Sequence, residues 1–486
     1  MCGIVSVLQD DPAREPPALA DVVAKLESAY EQLPFVAGAA DLVTRIGACA
    51  EAVEAADTLL RGVPGVLCLS GDPSSTVLLG TQLDALLKGA ESLESALDAP
   101  QTGTDEALER INAGVVRLKD AIWAVRRDRL RTADATVDLA GRDASPTALR
   151  AFAQIQIALA AIDRLEVRGR DSAGVVVVVR DHGVDIDSPA IRDLWAQRST
   201  DPLFRSTSVR EESGNLCFVY KAAAEIGELG DNTKAIRDAM RTDPLLHLAV
   251  AGDRSRAVVL GHTRWASVGM ISEANAHPLN SEEPGRDGPL VVAALNGDID
   301  NHADLRVAER VQVPIEITTD AKIIPVLGSR SRAEGFDVEE AFRRTVSSFE
   351  GSVAIAAVGV ADPDRVLLAL RGSGQALYVG LAEDAFIVAS EPYGLVEQCT
   401  SYLRMDGELP ADPADPTTRG QIVVLSDDGA GDAGRIRRIA YNGTELPVTA
   451  DEWQRPQITT RDVDRGMYPH FLLKEIEESP RSFRKT

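Results

Sequence analysis

Met1-Cys2-Gly3-Ile4-Val5-Ser6-Val7-Leu8 is the stretch on which the reading of this chain turns. Loss of the Met beside a small Cys would leave a thiol and a free α-amine on one residue. An α-amine titrates at about 7.7–8.0 and a thiol at about 8.5, so near neutral pH both lie close to the states that attack on an amide or ester carbonyl requires. Residues 3–8 predict a short buried strand leading out of Cys2, which would hold a nucleophile rigidly at its tip. The plain alternative is that Cys2 is an accident of sequence. The rest of the chain has to decide between the two.

A chain of 486 residues is too long for one ordinary domain, so two or three cores are expected. Its 75 acidic and 51 basic residues give a net charge of −24, which argues against a general affinity for nucleic acid or for an anionic membrane surface. No apolar run approaches the length of about 18 residues needed to span a bilayer, and residues 1–20 show neither a basic region nor a long apolar one. A cytoplasmic location is expected. Cys2, Cys49, Cys68, Cys217 and Cys399 are odd in number and scattered, without a CxxC pair, so neither a disulfide framework nor a metal site is suggested. Cys49 and Cys68 lie in apolar surroundings and read as small buried hydrophobes.

From Asp10 to about Ser145 the chain turns to Ala, Leu, Asp and Glu, with apolar residues at helical spacing. Leu19, Val22, Leu26, Tyr30 and Leu33 make one stripe; Leu108, Ile111, Val115, Leu118, Ile122 and Val125 make another. Three to five helices are predicted, with breaks at Gly62-Val63-Pro64-Gly65 and Gly71-Asp72-Pro73. No chemical constellation falls in this segment, which suits a structural or interaction role. Ser145-Pro146 then gives a helix start, Ser as N-cap and Pro in the first turn, for the stripe Leu149, Phe152, Ile155, Leu159, Ile162 and Leu165. Residues 175–179 are an unbroken run of Val, a strand buried on both faces. Further strands are predicted at 258–260, 290–295, 353–358, 366–370, 377–381, 386–389 and 422–425, with helices at 234–241 and 321–327. Many strands with grouped helices give an α+β fold, two packed sheets covered by helices. No internal repeat and no glycine-rich phosphate loop is visible.

Six motifs then occur in order: Cys2-Gly3-Ile4-Val5, Arg168-Gly169-Arg170-Asp171-Ser172-Ala173-Gly174, Gly261-His262-Thr263-Arg264-Trp265-Ala266-Ser267, Asn275-Ala276-His277-Pro278, Asn296-Gly297 and Thr319-Asp320. On these the chain resembles the class II glutamine amidotransferases, which are N-terminal-nucleophile hydrolases. Within that class the Arg-Gly-x-Asp-Ser-Ala-Gly and His-Thr-Arg-Trp-Ala forms look most like the glucosamine-6-phosphate synthases, and Lys474-Glu475-Ile476 is similar to the segment that leads into their sugar isomerase part. The resemblance covers residues 2–9 and about 148–480. It implies a four-layer αββα sandwich with an inserted helical bundle, divided as 2–9 and 148–455 for the amidotransferase domain, 10–147 for the insertion and 456–486 for a linker toward an absent isomerase domain.

The same resemblance implies the chemistry. Cys2 would attack the side-chain amide of glutamine, form a γ-glutamyl thioester and release ammonia for an acceptor, fructose 6-phosphate in a full-length enzyme. No cofactor and no metal are implied; the partners are glutamine and an isomerase domain or subunit, and assembly as a homodimer stays open. Asn296-Gly297 follows an apolar strand, where an amide and a backbone N–H could emerge at the strand end, or it is a hairpin turn. In the family these positions form the oxyanion hole. Arg264 offers a planar fork for a carboxylate and Asp320 a counter-charge for an ammonium; by themselves they read equally as a surface ion-pair partner and a helix N-cap. By analogy Arg264 and Asp320 bind the two ends of the amino acid, while Trp265 and Ser267 shape the pocket. His262 and His277 are read as structural, and Arg168 and Asp171 as a pair that stabilises a turn.

Four departures accompany the resemblance. Arg170 replaces the usual Tyr, Val268 follows Ser267 where His is usual, about 135 residues interrupt a normally short link, and the isomerase part is missing beyond Arg484-Lys485-Thr486. A long loop insertion costs little closure entropy, so the fold can persist around it. The alternatives are a class II amidotransferase serving another acceptor, and a silent module that binds glutamine or a partner without turnover.

Overall fold

A computed structural model describes residues 2–36, 41–97, 105–223, 228–466 and 468–485. The fold is α+β with antiparallel pairing. Nine strands form one sheet in the order Trp453–Gln454, Ser401–Arg404, Tyr378–Ala382, Ala385–Ala389, Gly3–Gln9, Arg256–Arg264, Ser172–Arg180, Asn215–Ala222 and Val209–Glu212. A second sheet of six runs Arg437–Ile439, Gln421–Ser426, Asp362–Arg371, Gly351–Gly359, Val291–Ile299 and Leu279–Asn280. The strand leaving Cys2 therefore sits inside the larger sheet, paired Val5 to Gly261 on one side and Val5 to Ala389 on the other. Its one interior polar side chain, Ser6, donates to the Val259 carbonyl at 2.9 Å.

The run of Val at 175–179 is buried on both faces because two different cores claim it. Val175, Val177 and Val179 join Phe152, Ile155, Leu159 and Ile162 of the helix Pro146–Leu165, whereas Val176 and Val178 join Val292, Ala356 and Leu368 of the second sheet. Beyond the second sheet, Leu295, Ile355 and Leu367 pack on Ile324, Phe342 and Val346, from the helices Ile323–Ala333 and Val338–Ser347. Each fully buried Val, Leu or Ile contributes about 1.5–3 kcal/mol, so these three cores dominate the stability of this part. Ser145 caps its helix as expected, its Oγ accepting from Ala148 N at 3.2 Å. The hairpin Val209–Glu212 and Asn215–Ala222, closed by Ser213 and Gly214 at positive φ, was not anticipated, although Leu216 to Tyr220 is an apolar run.

Among the described residues, the segment 10–145 contains six α-helices, not three to five: Leu19–Tyr30, Leu42–Leu59, Gly62–Ser70, Pro73–Leu97, Asp105–Trp123 and Arg131–Ala140, the last two joined by a π-helical turn Ala124–Leu130. The reason lies at the expected break. Gly62 turns the chain at φ 63, Pro64 falls in the first helical turn where its missing N–H costs nothing, and a Cβ on Gly65 would stand 2.0 Å from the Leu60 carbonyl oxygen. The Gly-Val-Pro-Gly signal thus starts a helix. Val22, Leu26, Val115, Leu118, Ile122 and Val125 form a separate core, while Tyr30 of the first predicted stripe is exposed.

These helices dock on the sheets through buried charges. Arg129, 4 % exposed, bonds Asp57 at 2.8 Å, Gln398 Oε1 at 2.9 Å and the Glu397 carbonyl at 2.8 Å. Glu397 in turn accepts from Arg164 at 2.6 Å and Thr132 at 2.7 Å. The segment expected as a linker, from residue 456, is partly docked too: buried Thr460 donates to Asp128 at 2.8 Å and accepts from Trp123 Nε1 at 3.0 Å. Residues 471–485 are a helix with Leu472 and Ile476 exposed. Among the described residues no helix is long and apolar enough to cross a membrane.

Candidate active site

The site gathers at the head of the Gly3–Gln9 strand. Trp265 N–H donates to Cys2 Sγ at 3.3 Å, and the thiol lies 3.5 Å from the Trp265 carbonyl. Burial raises the Cys2 thiol above its ordinary pKa; the Trp265 N–H and Arg264 pull it down, and Asp298 pushes it up. Cys49, Cys217 and Cys399 have no such donor and are pushed up to about 12 by burial alone or nearly so. Cys2 is the half-buried cysteine with a donor on its sulfur.

Asn296, 2 % exposed, turns its amide toward the same point, Nδ2 donating to the Cys2 carbonyl at 3.0 Å. Its Oδ1 is held by His262 Nε2 at 3.0 Å, and that nitrogen also lies 2.9 Å from the Leu295 carbonyl. Both partners are acceptors, so Nε2 carries the proton. Burial pushes His262 down to about 3, which keeps the ring neutral. His277 stacks on it with centroids 4.5 Å apart and is held well below its usual range by burial; it accepts from Leu295 N at 3.4 Å and reaches Thr319 Oγ1 at 3.3 Å. Neither ring can exchange protons near neutral pH. Their contacts orient Asn296 and the strand behind it.

Asn296-Gly297 is neither a strand end nor a turn. The strand Val291–Ile299 runs through both, pairing Asn296 with Ala354 and Gly297 with Val353. Gly297 holds φ 92, and a Cβ there would stand 2.0 Å from the Ser352 carbonyl oxygen, so no other residue fits. A left-handed residue inside a strand re-aims its neighbours, which a sequence reading of a ladder cannot anticipate.

Arg264 is 2 % exposed, not a surface residue. Its Nη1 donates to the Met270 carbonyl at 2.9 Å and Nη2 to the Val268 carbonyl, so part of its fork holds the loop that follows it. Burial lowers its pKa, opposed by the Cys2, Asp320 and Asp171 charges. Asp320 is raised by burial; it accepts from Ile299 N at 2.9 Å and Thr319 Oγ1 at 3.3 Å. Thr319, not Asp320, caps the short helix that follows. Trp265 is 56 % exposed, and Ser267 donates to Asp298 Oδ1 at 3.0 Å. Arg168 and Asp171 work apart: Arg168 pairs with Glu391 at 2.8 Å and with the Tyr393 hydroxyl, while Asp171 accepts from Ala266 N at 2.8 Å. Asp298 and the loop carbonyls at 268 and 270 escaped the sequence reading. Asp298 lies one residue beyond Asn296-Gly297, which was its only signal.

With this geometry in hand, comparison with known proteins gives first a class: the chain is similar to glutamine amidotransferases. The relatives are, in particular, bacterial glutamine–fructose-6-phosphate aminotransferases (isomerizing). That of Geobacillus kaustophilus is 28 % identical over 334 residues, 68 % of this chain and 42 % of the relative. Those of Halalkalibacterium halodurans and Symbiobacterium thermophilum are 32 % and 34 % identical over 227 and 235 residues, 46 % and 47 % of this chain and 32 % and 33 % of theirs. The chain thus spans less than half the length of the curated relatives it matches. No family model matches. Among solved structures, the glutamine phosphoribosylpyrophosphate amidotransferase of B. subtilis is 18 % identical over 59 % of this chain and 46 % of that one, at a TM-score of 0.37.

Proposed function

We propose that this chain hydrolyses glutamine as the ammonia-releasing part of an amidotransferase. The reading takes residues 2–9 and 148–455 as the amidotransferase domain, a four-layer αββα sandwich of the N-terminal-nucleophile kind, with 10–147 as its helical insertion and 456–486 leading toward an isomerase domain or subunit. The observation that carries it is the convergence of the Asn296 amide, the Trp265 N–H and the Cys2 thiol at one strand tip.

Removal of Met1 frees the α-amine of Cys2, which takes the thiol proton. The sulfur attacks the side-chain carbonyl carbon of glutamine, an S–C bond forms, and the carbonyl electron pair moves onto oxygen. Asn296 Nδ2 and the Gly297 N–H stabilise that oxyanion; one such donor supplies about 2.7–4 kcal/mol. Collapse breaks the C–N bond, the ammonium of Cys2 returns its proton to the departing nitrogen, and ammonia leaves a γ-glutamyl thioester that water then cleaves. Arg264 receives the substrate carboxylate and Asp320 its ammonium, with Trp265 and Ser267 lining the pocket. Fructose 6-phosphate is the acceptor that the named relatives suggest; another acceptor is the second reading.

The test is peptide mass spectrometry after exposure to a glutamine-mimicking diazoketone, with glutamine as competitor. Labelling confined to Cys2, on chains lacking Met1 and suppressed by glutamine, is the expected result. A folded chain that lacks Met1 and stays unlabelled at Cys2 would leave the silent glutamine-binding module in its place.

A further inference from the structure

Several clefts hold clusters of charge away from Cys2, and two of them differ in one respect. One, about 960 Å³, pairs its buried cations with carboxylates: Arg210 to Glu282 at 2.5 Å and Arg330 to Glu283 at 2.5 Å. The other, about 490 Å³, opens where three parts of the chain meet, the helix Arg131–Ala140 of the insertion, the core helices Pro146–Leu165 and Asp231–Arg241, and residues 460–466 with Phe471. Its wall carries Arg131, Arg237 and Arg465, none of which has a carboxylate at ion-pairing distance among the described residues. Their hydrogen bonds go to neutral acceptors: the Arg127 carbonyl at 3.2 Å, the Gln156 Oε1, and the Pro469 carbonyl at 3.0 Å.

All three act on one carboxylate. Asp163 in the cleft is open to solvent yet so closely surrounded that burial raises it, against the pull of Arg164, Arg131, Arg465 and Arg237. In a chain of net charge −24, uncommitted guanidiniums brought together from three segments form a local site for an anion. A carboxylate offers two oxygens, whereas a phosphate monoester offers three and carries nearly two charges, so the latter is the better match for three guanidinium forks. The volume suits a molecule of small-metabolite size.

We propose that this cleft binds a small phosphate monoester, its phosphate held by Arg131, Arg237 and Arg465 and a hydroxyl or ammonium of its carbon skeleton donated to Asp163. Such a ligand ties the insertion to the core and to the C-terminal segment. The core helix beneath it ends at Leu165, whose carbonyl accepts from Thr263 Oγ1 at 3.4 Å, and Thr263 pairs with Gly3 beside Cys2. Binding here is independent of whether glutamine is hydrolysed.

Calorimetric titration of the whole chain with glycerol 3-phosphate in low salt tests this, with inorganic phosphate and glycerol as companions. Saturable one-to-one binding of glycerol 3-phosphate is expected, with none for glycerol. Arg131→Gln and Arg465→Gln should each weaken it about tenfold or more, and Arg465→Lys less than Arg465→Gln. Asp163→Asn should tighten inorganic phosphate several-fold by removing a like charge. Unchanged thermal melting of each variant certifies the fold. No saturable binding up to about 10 mM, an affinity weaker than about 3 kcal/mol, or equal affinity in the Gln variants, would overturn the proposal.

Discussion

The surroundings of Cys2 and the seam between insertion and core are both buried, polar and built from long-range contacts, yet they are organised on opposite principles. In the buried part of the seam, away from the cleft of Arg131, Arg237 and Arg465, the guanidiniums are answered within the protein: Arg129 by Asp57, and Arg164 by Glu397. Around Cys2 the groups are held in place from behind and left with capacity in front. His262 fixes the carbonyl end of Asn296 and leaves its amide nitrogen on the Cys2 carbonyl; Arg264 gives two N–H groups to its own loop. A buried charge fully paired serves assembly, whereas oriented groups with capacity left over serve a ligand.

That contrast is breakable by substitution. Cys2→Ala should abolish diazoketone labelling and reduce glutamine hydrolysis by roughly 10⁴-fold or more, with the melting curve unchanged; a residual labelled cysteine elsewhere would break it. Arg129→Leu should act the other way, costing about 3 kcal/mol of stability by leaving buried Asp57 with Arg61 as its remaining ion-pair partner and the Glu397 carbonyl without its donor, read as a lower urea midpoint, while folded protein still labels at Cys2. Asn296→Ala should lower kcat for glutamine hydrolysis about 10²–10³-fold with little change in stability. If it melts early instead, the amide belongs with the seam.

The smallest effect sharpens the seam by pH. Burial beside Glu397 pushes Asp128 up to about 7, while in the unfolded chain it titrates at about 3.9. Between those values the folded state holds a proton that the unfolded state has lost, so stability falls as pH rises through this window and levels off above it. Asp128→Asn, which keeps an acceptor for Thr460, should raise stability by a few kcal/mol at pH 8 and by almost nothing at pH 4, measured by denaturant titration at the two values.

Much of the frame was legible. The helix from Ser145, the doubly buried Val run, and every predicted strand from 258 to 425 correspond to elements of the structure, because each carries a local signal of spacing, cap or turn. The hairpin at 209–222 and the sixth helix were missed for local reasons too, an unremarked apolar run and a Gly-Val-Pro-Gly taken for a break. Asp298 and the separation of Arg168 from Asp171 were out of reach, since their partners lie 31 and 225 residues away; the Thr319 cap on Ala321 N is local and was overlooked beside Asp320.

Sequence by itself determined which residues are candidates, since six ordered motifs and a Cys at position 2 are properties of the chain read in one dimension. Only the tertiary structure decided what each is able to do. The left-handed Gly297 inside a strand, the proton on His262 Nε2 and the three guanidiniums around Asp163 arise from packing distant segments together. Burial and opposing charge set the state of a titratable group, and neither exists until the chain has folded.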